Sequence, residues 1–241
     1  MKKIKKSSEL LWVFGIVFVA LGVAICSKAD LGVSMIAAPA FVVFDAISPL
    51  SIGFSVGMTE YLIQGLLLLL LCIIVRKFNW RYLIAFLVAI IYGYTLNFFL
   101  WLLGDISFNE IWLRYIALII GDIVTAFGVA CFFKTYMPLQ VYELFVAETA
   151  NTYNLKISKM KSIFDISLLI ISIVLSLTLF GDLTTFDWSS IYYKSFHSIG
   201  LGTIITTIIN SPLINACSKV IDKVFEPTAR FTKLEKFFKL N

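Results

Sequence analysis

The sequence predicts an all-α, polytopic membrane protein. Six transmembrane helices form two inverted three-helix repeats, each with a re-entrant or membrane-plane segment. Three observations predict it. First, 60% of the 241 residues are apolar and only 15% are charged, against about 45–50% and about 25% in water-soluble domains. Second, the apolar residues gather into runs of roughly 20, the number that about 30 Å of hydrocarbon requires at about 1.5 Å per helical residue. Third, the first half of the chain can be laid over the second.

The elements follow in chain order. "MKKIKK" and the apolar run behind it resemble a signal peptide. However, Ile25 is bulky where a lipoprotein-type cleavage before Cys26 needs a small residue, and the run belongs to a repeat. It is therefore read as the first span, about Leu10 to Cys26. Next comes "LGVSMIAAPAFVVFDAI", Leu31 to Ile47, too apolar for an exposed loop and too broken for a span. The remaining spans are about Phe54 to Val75, Tyr82 to Leu103, Ile111 to Phe133, Ile163 to Phe180 and Ile199 to Cys217. The four cysteines sit in or at the end of these runs without a CxxC pair and read as small buried apolar side chains. Trp12, Trp80, Trp101 and Trp112 lie near span ends, as interfacial belts do.

Orientation follows from lysine and arginine. With the N-terminus in the cytoplasm, seventeen of the 20 basic residues fall on cytoplasmic flanks, among them Lys134, Lys156, Lys159 and Lys161. Only Lys28, Arg114 and Lys194 fall outside, and Asp105, Glu110, Asp182 and Asp187 mark outer loops. This count works only if Leu31 to Ile47 enters and leaves on one side. Such irregular backbone is tolerated at membrane depth where protein covers it.

The repeat rests on three alignments. "ALGVAICSK" (20–28) lies over "AFGVACFFK" (126–134) at an offset of 106, identical at Ala, Gly, Val, Ala and Lys. Each is followed by a semi-apolar piece too short or too broken to span; the second is "TYMPLQVYELFVAETANTY", whose segment 137–151 is again read as re-entrant or membrane-plane. "MTEYL" then lies over "IFDIS" at offset 105, matching Glu60 with Asp165, and "AIIYGYTLN" lies over "TIINSPLIN" at offset 118, matching Asn97 with Asn215. The chain thus reads as one membrane domain over 1–241, with repeat 1 over about 10–104 and repeat 2 over about 111–218. A basic amphipathic cytoplasmic tail, 219–241, reads as an interfacial helix. Three spans per half reverse the second half in the membrane. Inverted repeats are a signature of secondary transporters, whose ligands sit near the midplane where broken segments meet.

The "ADLGVS" that follows a basic residue after the first span, the "RK" after the second, and "GLGTIITTIINSPLI" (200–214) resemble the YczE/YyaS/YitT family of small bacterial integral membrane proteins. The resemblance covers most of the chain. It implies a multi-pass protein of the bacterial cytoplasmic membrane, with both termini cytoplasmic, and no particular substrate. Here Ser34 is followed by Met, Ile and Ala rather than by the family's "SP".

Ionisable residues inside spans are costly, by roughly 3 kcal/mol or more, and are functional candidates by default. Glu60, Asp122 and Asp165 are such residues and are assigned to coupling or relay. The alternative for Glu60 and Asp165 is capping of a helix start. The substrate-binding set is Ser34, Glu60, Asn97, Gln140, Glu143, Asp165 and Asn215. Ser34 and Gln140 match at offset 106. Asn97 and Asn215 have helix-bridging as their alternative, and Glu143 either lines the site or faces the cytoplasm.

The expected function is a small-solute transporter, with proton or cation coupling. The alternative is a non-transporting membrane scaffold or accessory, regulatory protein. Neither an enzyme nor a cofactor is expected, for there is no nucleophile–base pair, zinc spacing or phosphate loop. The single histidine, His197, leaves little material for a metal site. The formal charge of +5 belongs to membrane flanks and not to nucleic-acid binding. The partners are the lipid bilayer and an unspecified small molecule or ion, with room for a homo-oligomer.

Overall fold

A computed structural model describes residues 4–49, 53–181, 192 and 196–231. It contains six helices long and apolar enough to cross a membrane: α1 (Ser8–Lys28), α3 (Val56–Val75), α4 (Arg81–Leu103), α5 (Ile111–Phe133), α7 (Ile157–Phe180) and α8 (Leu201–Val224). Two shorter helices, α2 (Ala38–Ile47) and α6 (Val141–Thr152), stand between α1 and α3 and between α5 and α7. At about 1.5 Å per residue they reach about 15 and 18 Å, half a bilayer. The outer faces are apolar: Leu66, Leu69, Ile73 and Ile208 are all more than 60% exposed. A soluble protein would leave no such surface to water. The fold is that of an all-α polytopic membrane protein.

Most elements lie where the apolar runs predict them. α7 differs, starting at Ile157 rather than Ile163, so Lys159 and Lys161 lie inside the helix. α8 runs on through the first residues of the expected tail to Val224. Phe225–Thr228 (β2) then pairs in parallel with Ile4–Ser7 (β1). The rest of the tail from 232, together with Asp182, Asp187 and Lys194, lies outside the described residues.

The core is built on α1 against α5. These helices run antiparallel: Ser8 Oγ donates to Thr135 Oγ1 at 2.9 Å at one end, and Cys26 Sγ lies 3.7 Å from the Leu118 carbonyl toward the other. Their seam is made of glycines. A Cβ on Gly22 would stand 2.6 Å from the Gly121 carbonyl oxygen, and one on Gly128 would stand 3.0 Å from that of Gly15. At offset 106, Gly15 corresponds to Gly121 and Gly22 to Gly128, so exchanging the halves turns one contact into the other. The larger pattern behaves alike. α1 packs on α4 as α5 packs on α8, α2 on α3 as α6 on α7, and α2 on α7 as α6 on α3.

The segments that carry the two short helices join the bundle at opposite ends. Lys28, closing α1, donates to the carbonyl of Gly104, which ends α4. Near that same end of α4, Asn97 holds the start of α3, accepting from Gly57 N–H and donating to Ser55 Oγ, both at 2.9 Å. The segment around α2 therefore enters and leaves beside the C-terminal end of α4. At the opposite end, Ser211 of α8 donates to the Ser158 carbonyl near the start of α7. There Phe133 and Lys134, closing α5, line one cleft with Ile157 and Ser158. α2 is buried over its N-terminal half, Ala38 to Val42, whereas α6 is buried at its start, Val141 to Glu143, and at intervals as far as Ala150, with only its end from Asn151 onward exposed.

The backbone before α2 is fastened to α8. Gly202 N–H donates to the Leu31 carbonyl at 2.7 Å and Val33 N–H to that of Ser198 at 3.0 Å. Gly32, at φ +106° with a would-be Cβ 2.6 Å from Gly200 N, occupies a conformation and a space that only glycine fits.

Candidate functional site

Among the described residues, five charged side chains are buried: Glu60, Asp122, Glu143, Lys161 and Asp165. Each reaches the interior from a helix that is apolar around it, and together they form one group. Glu60 and Gln64 share a face of α3, one turn apart. Tyr142, in the first turn of α6, donates to Glu60 Oε2 at 2.8 Å. Glu143, next in α6, lies within electrostatic reach of Glu60 on one side and of Lys161 and Asp165 on the other. Lys161 and Asp165, one turn apart on α7, are ion-paired at 2.5 Å. Asp122 of α5 lies within electrostatic reach of both. Tyr92 of α4 lies within reach of Glu60 and Glu143.

The group is poorly satisfied from within. Glu60 Oε1, Glu143 Oε2, Asp165 Oδ2, both Asp122 oxygens and the Tyr92 hydroxyl have no hydrogen-bond partner among the described residues. The same is true of both amide atoms of Gln64, Gln140 and Asn210. Gln64 lies beside Glu60 and Asn210 beside Asp165 without closing bonds of good geometry. A buried polar group left unpaired costs about 1–3 kcal/mol, more when charged. Native interiors carry few of these, and here they are concentrated in one place.

The cleft at the α5–α7–α8 end has a volume of about 280 Å³ and is lined by Lys134, Ser158, Lys161, Ser211, Asn215 and Ser218, among others. Lys161 therefore borders the cleft and pairs with Asp165 inside. On the far side of the group, Met35 and Ile36, just before α2, share an apolar cluster with Tyr142 and Phe164.

The candidates named from the sequence separate into two sets. Glu60, Asp122, Glu143 and Asp165 are brought together, with Gln140 buried at the start of α6. Glu60 does not cap its helix; that is done by Ser55, which accepts from Met58 N–H. Ser34 is buried, but its hydroxyl rests on Met35 Sδ at 3.5 Å, and no hydrogen bond joins it to the acids among the described residues. Asn97 bridges α4 to α3, as its helix-bridging alternative has it. Asn215, its match at offset 118, is exposed on the cleft.

Lys161 corrects the sequence reading: counted as a flank residue, it is only 3% exposed and is the group's one cation. The signal was its position four residues before Asp165, the spacing of a helical ion pair. Gln64, four residues after Glu60, could have been found in the same way. Tyr92 and Asn210 are aligned at offset 118, but neither looks chemical until its neighbour is known. Among the described residues no three His, Cys, Asp or Glu side chains are arranged to hold a metal ion. The four cysteines are free. Trp80, Trp101 and Trp112 are exposed near helix ends, while Trp12 donates to the Pro138 carbonyl at 2.8 Å.

Residues 6–219 match a family of unknown function, DUF6198, and the chain belongs to that family. No curated protein and no solved structure matches the chain.

Proposed function

We propose that the protein is a small-solute transporter, coupled to protons or a cation, with its site in the buried group between two inverted repeats. The observation that carries this reading is the burial together of four carboxylates and one ammonium from α3, α5, α6 and α7. So many ionisable groups inside membrane helices are a large cost for a purely structural protein. The inverted arrangement draws support from the packing preserved on exchange of the halves. It also draws on the half-length helices, whose buried N-termini carry the partial positive charge that such folds use at their sites. In this reading the cleft beside Lys161 is the cytoplasmic approach, since sixteen of the 20 basic residues, with buried Lys161 set aside, then obey the positive-inside rule. The motifs that resemble the YczE/YyaS/YitT proteins support the bacterial cytoplasmic membrane as its setting.

The test is thermal unfolding of the purified protein against a library of amino acids, ions, vitamins, nucleobases and drugs. A ligand at a hundredfold its dissociation constant stabilises by about 2.7 kcal/mol. Stabilisation that disappears in Glu60→Gln and Asp165→Asn, followed by uptake of that compound into proteoliposomes, is the expected result. Silence from a well-folded protein across the library would overturn the reading in favour of a non-transporting scaffold.

A further inference from the structure

The two halves treat their matched carboxylates differently. At offset 105, Asp165 corresponds to Glu60 and Lys161 to Val56. At offset 118, Asn210 beside Asp165 corresponds to Tyr92, which lies within reach of Glu60. Each carboxylate therefore has a polar residue from the last helix of its own half. Only Asp165 also has a cation, supplied one turn earlier on its own helix. One turn before Glu60 stands an apolar side chain, which packs with the α1–α4–α5 core.

What surrounds Glu60 is rich in acceptors that no described residue fills. Its own Oε1, Glu143 Oε2, the Gln64 carbonyl oxygen and the Tyr92 hydroxyl are all buried without a partner. They come from three helices, α3, α4 and α6. The donors at hand, a proton on Glu60, the Tyr92 O–H and the Gln64 amide N–H groups, bring no positive charge. An alkylammonium supplies up to three N–H donors and a guanidinium up to five, each with a positive charge to set beside Glu60.

We propose that the buried polar cluster around Glu60 binds a small organic cation of the ammonium or guanidinium class, which takes beside Glu60 the place that Lys161 takes beside Asp165. The proposal rests on the transporter reading and names the chemistry of its ligand. Lys161 is then a tethered copy of the ligand's charged group, fixed in one half, while the other half takes the mobile one.

The experiment follows the thermal unfolding of the purified full-length protein in detergent with methylammonium chloride. Sodium and potassium chloride at matched ionic strength serve as controls. The expected result is an upward, saturating shift of the midpoint with methylammonium that the controls do not reproduce. Val56→Lys sets an internal ammonium one turn from Glu60, the spacing of the Lys161–Asp165 pair, and should abolish the shift in a folded protein. Where Val56→Lys does not fold, Glu60→Gln replaces it, again with loss of the shift expected. Equal shifts with all three salts, no shift in the unsubstituted protein, or a shift that survives in the variant would each overturn the proposal. A neutral or anionic compound that stabilises the protein through Glu60 would overturn it while leaving the transporter reading intact.

Discussion

The glycine seam between α1 and α5 allows a worked perturbation. In Gly22→Ala the new Cβ would stand 2.2 Å from Thr125 Oγ1 and 2.6 Å from both the Gly121 carbonyl oxygen and Thr125 N. The hydroxyl can rotate away, but the two backbone atoms belong to α5 and cannot move alone. Restoring ordinary contact near 3.4 Å requires the helices to part by about 0.8 Å, and a gap of that order forfeits about a quarter to a half of each dispersion contact beside it. Gly15, Val19 and Cys26 meet Gly128, Phe132 and Gly121 along the same seam, so the loss is shared by several pairs. Overpacking costs about 1–3 kcal/mol, and the backbone location puts Gly22→Ala at the upper end. The assay is unfolding in detergent, by heat or by titration with a denaturing detergent. Gly65→Ala is the control: its Cβ would meet only the Phe86 ring, at 3.2 Å, and replacing a mid-helix glycine gains about 0.5–1 kcal/mol. The reasoning fails if Gly22→Ala is as stable as the unsubstituted protein, or if Gly65→Ala is destabilised as much.

Three further perturbations address the site. Lys161→Met leaves the Asp165 charge uncompensated and should cost about 3–5 kcal/mol, whereas Lys161→Met/Asp165→Leu should be close to neutral; a double-mutant cycle in the same unfolding assay measures the difference, and additive costs would argue against a buried pair. Tyr142→Phe removes the donor to Glu60 Oε2 and should cost about 1.5–3 kcal/mol, read from the midpoint and from weaker binding of any solute that needs Glu60. Asn97→Ala frees the start of α3 and should cost about 1–2 kcal/mol, while exposed Asn215→Ala should stay within about 0.5 kcal/mol; equal effects would contradict the different surroundings of the two amides.

The six spans and the two short pieces were legible in the sequence because hydrocarbon thickness imposes a length, and length is a local property of an apolar run. The acids were legible for a related reason: Glu60, Asp122 and Asp165 each interrupt a run in which a charge is costly. Which of them meet was not legible. In a soluble helix the polar face shows which side is buried, but these helices are apolar toward the lipid and toward the core alike, so the pattern carries little rotational information. Lys161 shows the consequence. In sequence it stands with Lys156 and Lys159 as one basic flank; the rotation and depth of α7 leave Lys159 exposed and turn Lys161 onto Asp165. Asn97 and Asn215 show it again, aligned in the repeat yet set against a helix start in one half and an open cleft in the other. Composition decided that this chain enters the membrane and how often. The packing of α6 against α3, α4 and α7 decided that Glu143 stands between Glu60 and Asp165. Helix rotation and insertion depth follow from packing between segments distant in the chain, and no local stretch of sequence contains them.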